Sequence, residues 1–222
     1  MGFSIKSTLR FGWETFKRRP WIFVGATAIL FAAWVGVEFL TAAIEITLSG
    51  AQDQPTILGI IVSNIVNLAF GAIIGMGAIA FYLAAHDNPD TVELSSLWHP
   101  RPFWKYVGTW ILVWLAIIIG LILLIVPGVI IALIFMFSTF VVIDRELGPI
   151  EAMAASNNIT RGHKWSLLGL GLMLILINLL GALAFIVGLL VSVPVTALAF
   201  THAYRVLSGS AETRPADAAV AA

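Results

Sequence analysis

The sequence predicts an all-α, polytopic integral membrane protein with six transmembrane helices that pair as three hairpins. Of its 222 residues, 60% are hydrophobic and only 11% are charged, and the mean hydropathy is +1.00. An average soluble domain carries about 25% charged residues, so this composition excludes an ordinary water-soluble globule. It also excludes a disordered chain, because disorder requires low hydrophobicity and high charge.

The first two spans are predicted over residues 21–44 and 57–85, and each exceeds the roughly 20 apolar residues that cross a bilayer. A secretory signal peptide is the competing interpretation of the first span. Its basic and apolar regions would both be too long, and no convincing small-residue cleavage site follows. We therefore interpret residues 21–44 as a membrane helix.

Two longer apolar runs are each predicted to form a helical hairpin. The run 107–143 is interrupted only by Pro127-Gly128, and Pro suits the first turn of a helix but not its interior. This break leaves a short fourth span over 129–143. The run 165–206 is predicted to turn near Gly181, which completes the count of six spans.

Positive charge predicts which side of the membrane each loop occupies, because cytoplasmic loops gather Lys and Arg. If the N-terminus is cytoplasmic, all twelve basic residues fall on the cytoplasmic side. The charged residues of the external loop 45–56 are Glu45 and Asp53. The sequence therefore predicts cytoplasmic N- and C-termini, with residues 208–222 as a flexible cytoplasmic tail. The basic residues are Lys6, Arg10, Lys17, Arg18, Arg19, Arg101, Lys105, Arg145, Arg161, Lys164, Arg205 and Arg214.

Residues 1–207 are predicted to form one transmembrane domain built from three related units. Each hairpin begins with the pattern Trp-x-x-x-Gly, and another Gly recurs fifteen or sixteen residues after the Trp. An interfacial belt explains the Trp residues without a repeat, but it does not explain the Gly spacing. The pattern occurs at 21–25, 104–108 and 165–169, and the predicted pseudo-repeats cover 3–85, 91–143 and 149–206.

Amphipathic interfacial helices are predicted on the cytoplasmic side. In residues 3–17, apolar side chains share one helical face and basic side chains another, a pattern typical of a helix in the membrane interface. Its role is either a topological anchor, which we favour, or a lipid-sensing or partner-docking helix. The apolar face comprises Ile5, Leu9, Gly12, Trp13 and Phe16, and the basic face comprises Lys6, Arg10 and Lys17.

A second short helix is predicted over 149–161 in the fourth loop. Gly148 and Pro149 mark its start, because Pro is favoured in the first turn. Glu151 places a carboxylate near the positive end of the helix dipole, and Gly162 suits the C-terminal cap. We therefore expect a helix with marked ends at the membrane surface.

Glu38 is the one ionisable residue in the interior of a predicted span, and such residues are costly in hydrocarbon. Asn64, Asn67 and Asn178 are predicted at a similar depth, in the outer half of the bilayer. If the four side chains meet, they form a candidate intramembrane polar cluster. The alternative, which we favour, is that each Asn bonds between helices while Glu38 reaches the outer interface.

No catalytic, cofactor-binding or metal-binding residues are predicted. The chain has no Cys, and it lacks a phosphate-binding loop, a dinucleotide fingerprint and the HExxH pattern. His86, His99, His163 and His202 lie one at each of four cytoplasmic boundaries, so interfacial roles are favoured over metal ligation. The zero net charge gives no indication of nucleic-acid binding. The expected partners are the lipid bilayer and anionic lipid headgroups, whereas the sequence specifies no protein partner.

Ten residues in the second half of the chain occur in a recognisable order, and they are called the family-like residues below: Pro127, Gly128, Asp144, Gly148, Pro149, Glu151, Ser156, Thr160, Gly162 and Trp165. This order resembles that in the membrane domain attached to some bacterial glycerophosphoryl diester phosphodiesterases, and equally in the stand-alone six-span relatives of that domain. The hydrolytic residues of that family lie outside the matching region, so the resemblance implies a bacterial membrane component and carries over no activity.

The sequence therefore predicts a non-enzymatic integral membrane protein with a structural, accessory or regulatory role in a bacterial inner membrane. The alternative is a small transporter or lipid-handling protein that uses the polar cluster. An intramembrane enzyme is the weakest alternative, because no pair of nucleophile and base is recognisable.

Overall fold

The computed structural model describes residues 3–49 and 56–220, and over these ranges the chain is helical without a strand. A short 3₁₀ helix, Leu94–Leu97, precedes α4. Asp53 of the predicted external loop lies outside the described residues. The α-helices are α1 (Ile5–Arg18), α2 (Pro20–Ser49), α3 (Ile57–Asp87), α4 (Phe103–Leu123), α5 (Ile125–Phe135), α6 (Ser138–Arg145), α7 (Pro149–Thr160), α8 (Lys164–Leu183) and α9 (Phe185–Val220).

Six segments of the described chain are long and apolar enough to cross a membrane, as predicted. They are α2, α3, α4, the combined segment α5–α6, α8 and the part of α9 up to Ala211. In the apolar stretch of α9, half of the residues are buried, whereas 28% or fewer are buried in the corresponding stretch of each other segment. α9 therefore forms the centre of the bundle.

The two ends of the bundle differ in charge. At one end, here called the basic end, Arg19 donates to the carbonyl oxygen of Val92, and Lys105 donates to that of Glu146. These contacts join the segments that carry the basic residues. At the opposite end, here called the turn end, α4 meets α5 and α8 meets α9. The segments therefore alternate in direction between the two ends.

The second hairpin turns earlier than predicted. α5 begins at Ile125, so Pro127 lies in the first turn of α5, where its missing N–H is tolerated. Gly120 and Gly128 pack together across the turn, since a Cβ on Gly120 would lie 2.9 Å from the Cα of Gly128. The fourth segment, Ile125–Arg145, consequently has 21 residues and is not short.

The third hairpin turns at Ala184, close to the predicted position at Gly181. α9 then continues to Val220, so the backbone of residues 208–220 is helical where the sequence analysis expects a flexible tail. Residues 211–220 contain four Ala, which favour a helix, and also Pro215, which lacks a backbone N–H, so helix propensity alone does not account for this part of α9.

α1 packs on α9 through a face rotated from the predicted one. Its buried residues are Thr8, Gly12, Thr15 and Phe16, whereas Trp13 is 46% exposed. Gly12 lies at the crossing point, where a Cβ would come within 2.5 Å of the carbonyl oxygen of Val195. Gly12 and Phe16 belong to the predicted apolar face, whereas Thr8 and Thr15 do not. A close helix crossing accepts small polar residues such as Thr, which an apolar pattern does not include.

Packing is concentrated toward the basic end. Phe137, Leu167 and Tyr204 are fully buried there. In contrast, residues 121–126 around the turn between α4 and α5 are all apolar and all exposed. A continuous apolar surface of this kind is suited to a bilayer and not to water.

The Trp residues of the repeated pattern share one property, because Trp21, Trp104 and Trp165 are 85%, 81% and 85% exposed. Their glycines do not share neighbours. Gly25 has no atom near its Cβ position, whereas Gly108 packs against Pro149. Equal exposure of the Trp residues is compatible with both a repeat and an interfacial belt, so the three-unit repeat stays a prediction.

Candidate functional site

A network of charged and polar side chains joins α3, α6 and α9 at the basic end. Arg205 of α9 donates to Asp144 of α6 at 2.7 Å and to Asp87 of α3 at 2.6 Å. The second carboxylate oxygen of Asp144 accepts a hydrogen bond from the Tyr204 hydroxyl at 2.7 Å. These four residues are called the basic-end network below. Through it, one guanidinium links α9 to two other helices.

Two histidines extend this network toward α1. His86 Nδ1 lies 3.2 Å from Asp87 Oδ1, and His86 Nε2 lies 3.1 Å from His202 Nδ1. Phe11 of α1 stacks on His202, with ring centroids 4.0 Å apart and planes inclined by 15°. The imidazole pair and the ring stack therefore connect α1 to the ends of α3 and α9.

The basic-end network is unevenly shielded. The side chains of Asp144 and Arg205 are 16% and 26% exposed, whereas that of Asp87 is 46% exposed. A partly buried ion pair with fixed geometry depends strongly on both partners, because removing one leaves a charge uncompensated. An exposed pair contributes little. The contact between Asp144 and Arg205 is therefore the central one.

The chemistry available to this network is mutual neutralisation of charge, which fixes helix positions. Within residues 3–49 and 56–220, no group of three His, Asp or Glu side chains is arranged to hold a metal ion. From the sequence alone, His86 and His202 are two separate interfacial residues and Arg205 is one of the basic residues that set the topology. The signal for a common site was the spacing of His202 and Arg205, which places them on one face of the last helix.

Ser156 and Thr160 of α7, two of the family-like residues, lie beside the break between α5 and α6 in the fourth segment. The Ser156 hydroxyl donates to the carbonyl oxygen of Ile134 at 2.8 Å and accepts from the Phe137 N–H at 3.2 Å. The Thr160 hydroxyl also donates to Ile134, at 3.4 Å. A side chain inserted into the backbone ladder in this way is a recognised cause of a helix kink. α7 therefore supplies the partners that the gap between α5 and α6 requires.

The family-like residues around α7 mark its ends as predicted. Glu151 accepts a hydrogen bond from the Gly148 N–H at 3.1 Å, and Pro149 begins the helix. Gly162 follows the helix with a φ of +83°, which favours Gly. Trp165 is exposed at the start of α8. The predicted bounds 149–161 and the observed bounds Pro149–Thr160 agree to one residue.

The structure brings together only part of the predicted polar cluster. Asn67 donates to Glu38 at 3.4 Å between α3 and α2. Asn64 instead donates to the Ile60 carbonyl oxygen within its own helix, at 2.7 Å. Asn178 donates to the hydroxyl of Thr196 at 3.0 Å, between α8 and α9. Asn178 thus bonds between helices apart from Glu38, as in the favoured alternative, whereas the bond between Asn67 and Glu38 is one pair of the proposed cluster.

Glu45 also makes a polar contact between α2 and α3, although the sequence alone places it in the external loop. The contacts of Glu38 with Asn67 and of Glu45 with Ser63 are called the polar seam below. α2 continues to Ser49, so Glu45 lies on the helix and its carboxylate accepts a hydrogen bond from Ser63 at 2.7 Å. Thr41 is buried between Glu38 and Glu45 along α2. Two carboxylates therefore join α2 to α3 toward the turn end, one bonded to an amide and one to a hydroxyl.

A cleft of about 460 Å³ separates α3 from α4 beside this seam. Asn64 and Asn67 contribute polar groups to its wall, and Asn67 also donates to Glu38 of α2. The Tyr106 hydroxyl packs against Gly75 at the other side of the cleft. The cleft therefore combines apolar walls with hydrogen-bonding groups, an arrangement typical of small-molecule sites.

Comparison with known proteins gives a family without a described activity. Residues 104–210 match a family described as "Protein of unknown function (DUF975)". Uncharacterized proteins from two strains of Mycobacterium tuberculosis and from Mycobacterium bovis are each 27% identical over 229 residues, covering 94% of this chain and 70% of the relative. No solved structure matches the chain. These descriptions do not mention glycerophosphoryl diester phosphodiesterases; the similarity they support is to a family of unknown function with mycobacterial relatives.

Proposed function

We propose that this protein is a non-enzymatic integral membrane component with a structural, accessory or regulatory role in a bacterial inner membrane. The basic end is cytoplasmic in this proposal, because cytoplasmic loops accumulate Lys and Arg. Both termini then lie in the cytoplasm. α1 lies at the cytoplasmic interface, where its basic side chains meet the headgroups.

The observation that carries this proposal is that several of the family-like residues form contacts between helices. Asp144 pairs with Arg205 and Tyr204, and Ser156 completes the backbone pairing at the break between α5 and α6. Pro149 packs against α4 at Gly108. Polar and close contacts of this kind position helices in a membrane. The residues therefore support a role in maintaining shape more directly than a role in chemistry.

Co-purification from native membranes tests the proposal. Tagged full-length protein is extracted in mild detergent, and protein partners and retained lipids are quantified by mass spectrometry. We expect a protein partner at constant stoichiometry, reduced in Ser156→Ala and retained in Thr47→Ala, which alters an exposed hydroxyl bonded within its own helix. Recovery of no protein above the level given by an unrelated six-span protein would contradict the proposal.

A lipid-handling or transport role is the second candidate, and the cleft between α3 and α4 favours it. Asn64, Asn67 and Tyr106 give the cleft three hydrogen-bonding side chains at a depth where water is scarce. A lipid or small solute with polar groups would supply partners for them. The relevant variant is Asn67→Leu, with Asn178→Leu as the control because Asn178 bonds to Thr196 outside this cleft.

This second role predicts that Asn67→Leu reduces ligand retention and that Asn178→Leu does not. Retained lipids and small molecules are measured by mass spectrometry after purification in the same detergent. Equal retention by the wild type and Asn67→Leu would remove the cleft as a ligand site. It would leave the structural role unaffected, because that role depends on different residues.

The resemblance to the phosphodiesterase-attached membrane domain is kept as a proposal of shared architecture. Its support is the order of the matching residues and the structural use of Ser156, Asp144 and Glu151. If the architecture is shared, the same residues should make the same contacts in that domain. An experimental structure of such a domain in which the Ser does not bridge a helix break would contradict this proposal.

A further inference from the structure

Two histidines and one phenylalanine join three helices beside the basic-end network. His86 of α3 and His202 of α9, here called the histidine pair, have ring nitrogens 3.1 Å apart. Phe11 of α1 lies over both rings, with its centroid 4.0 Å from that of His202 and 4.8 Å from that of His86. The histidine pair therefore forms part of the surface on which α1 packs.

The two rings of the histidine pair are arranged end to end. Their centroids are 5.3 Å apart, whereas His86 Nε2 and His202 Nδ1 are 3.1 Å apart, so the two nitrogens lie between the rings and face each other. A zinc ion in line between these nitrogens would need about 4 Å, because each Zn–N bond measures about 2.0–2.1 Å. The contact is therefore an N–H···N hydrogen bond, with one hydrogen between the two rings.

The number of protons on the histidine pair decides whether this hydrogen bond can form. A neutral imidazole has one N–H and one acceptor nitrogen, whereas an imidazolium has two N–H groups and no acceptor. His86 Nδ1 lies 3.2 Å from the Asp87 carboxylate, which only accepts, so this nitrogen carries a hydrogen. When the pair carries no charge or one charge, one facing nitrogen can still accept from the other. When both rings are charged, both facing nitrogens carry hydrogens and the bond is lost.

The charged groups of α3, α6 and α9 near the pair favour a first positive charge and oppose a second. Asp87 of α3 faces the pair, and its other oxygen accepts from Arg205 of α9 at 2.6 Å. From α6, Asp144 accepts from the same guanidinium, and Arg145 donates to α9. Asp87 is thus shared between the pair and a permanent cation, so it can compensate one imidazolium but not two.

The charged side chains of α1 in the turns around Phe11 are bonded to other groups. Arg10 donates to Glu14 at 2.6 Å, and Arg18 donates to Asp90 at 3.3 Å. The hydrogen bond from Arg10 lowers the pKa of Glu14 below its usual value, so Glu14 stays ionised where histidine titrates. These groups therefore keep their charges while the histidine pair changes its own.

We propose that the histidine pair is a proton-operated latch for α1. With one proton or none in excess of the neutral rings, the pair stays joined and Phe11 stacks on it. A second proton separates the rings, and the part of α1 around Phe11 moves away from the ends of α3 and α9. This regulation goes beyond the structural role and does not depend on the cleft between α3 and α4. In the proposed orientation, the latch faces the cytoplasm.

The direction of the response follows from the number of bound protons. The closed latch holds at most one excess proton, whereas the open latch holds two in acid, because two separated imidazoles each change charge near pH 6.5. The open form therefore gains one proton relative to the closed form as the pH falls. One proton shifts the ratio of open to closed latch by up to about tenfold per pH unit.

The mobility of a spin label on α1 tests the latch. Because the chain has no Cys, Ser7→Cys places a single label at an exposed position one turn before Phe11. The full chain is labelled in detergent, and electron paramagnetic resonance spectra are recorded from about pH 7.5 to about pH 5, where histidine titrates. We expect the ratio of mobile to immobile label to rise by up to about tenfold per pH unit below about pH 6.

Variants of the histidines assign the response to the pair. His202→Asn and His86→Gln introduce amides, which can donate or accept across the contact but take up no proton in this range, and each should abolish the rise. His99→Gln is the matched control, because His99 lies in the loop before α4, outside the pair, and should retain the full rise. A label at the exposed Thr47→Cys of α2 should keep the same mobility at every pH, which separates release of α1 from unfolding. Circular dichroism measures the helix content of each variant.

Four outcomes would overturn the proposal. Constant mobility of the α1 label with both histidines present would show that the pair does not control α1. An equal rise in His202→Asn would assign the response to other groups. A rise at the Thr47→Cys label of α2 would indicate general unfolding in acid. If added zinc immobilises the α1 label at neutral pH with His202 present and not in His202→Asn, the pair is a metal site and not a latch.

Discussion

Ser156 and Phe137 are nineteen positions apart in the chain, yet the hydroxyl of one accepts the backbone N–H of the other at 3.2 Å. The same hydroxyl donates to the carbonyl oxygen freed at Ile134. One side chain of α7 thus serves both sides of the break between α5 and α6. Ser156 and Phe137 are both fully buried, so no water is available as a substitute.

Ser156→Ala is expected to destabilise the protein by about 1 to 3 kcal/mol, because it removes the partner of the buried Phe137 N–H and leaves the Ile134 carbonyl with the longer bond from Thr160. Thr47→Ala is the matched control, since its hydroxyl is exposed and bonds within α2, and we expect a change within about 0.5 kcal/mol. Thermal unfolding in detergent measures both. Equal stability of the two variants would show that the break does not depend on α7.

Within the basic-end network, the contact of Arg205 with Asp144 should be stronger than its contact with Asp87. Asp144→Asn is expected to cost about 2 kcal/mol, because it weakens a partly buried pair and the bond from Tyr204. Asp87→Asn should cost less than about 1 kcal/mol, since that side chain is half exposed. Double-mutant cycles with Arg205→Gln measure the two coupling energies, and the reverse order would contradict the assignment.

The seam between α2 and α3 predicts a graded set of coupling energies. Glu45 and Ser63, 2.7 Å apart, should couple by about 1 kcal/mol, and Glu38 and Asn67, 3.4 Å apart, by about 0.5 kcal/mol. Glu38 and Asn178 should not couple, because Asn178 bonds to Thr196. Melting temperatures of single and double variants provide the cycle. Coupling between Glu38 and Asn178 above about 0.5 kcal/mol would restore the complete polar cluster.

The docking of α1 on α9 should depend on Gly12. Gly12→Leu would place a side chain against the carbonyl oxygen of Val195, whereas Gly25→Leu projects into open space. Because the chain contains no Cys, Thr8→Cys provides a unique probe on the buried face of α1. We expect maleimide to label Thr8→Cys rapidly only when Gly12→Leu is also present. Rapid labelling in the Gly25→Leu background, or none in either, would contradict this packing.

Topology is predicted from the positions of the basic residues. Reporter domains fused after Gly50 and after Ala222 should report opposite sides of the membrane, with the second in the cytoplasm. Two reporters distinguish the sides: a fluorescent protein that is fluorescent only in the cytoplasm, and an enzyme that is active only outside it. The same side for both fusions would mean that the number of spans is not six.

The spans and α7 were predictable because hydropathy and capping act locally. Gly148, Pro149 and Glu151 mark the start of α7 within four residues of sequence, and the structure begins the helix there. The sequence places Glu45 in the external loop, whereas α2 extends to Ser49 and Glu45 bonds to Ser63 of α3, a partner that lies eighteen positions away in the chain. A carboxylate near the end of a span is compatible with either assignment until its partner is identified.

The basic-end network could not be derived in the same way. His86 and His202 are 116 positions apart, and Asp144 and Arg205 are 61 apart, so only the arrangement of the helices brings them together. The break at Phe137 was hidden for another reason. Hydropathy is continuous across it, and the signal was a Ser in the following helix that has no local use.

The exposed indoles of Trp21, Trp104 and Trp165 lie at the starts of α2, α4 and α8. Indole rings prefer the boundary between headgroups and hydrocarbon. Three points define a plane, so in the proposed orientation these three Trp residues on separate helices would set both the depth and the tilt of the molecule. In that orientation a change in bilayer thickness would be accommodated at the turn end, where the exposed residues 121–126 are apolar and include no Trp, Tyr, Lys or Arg.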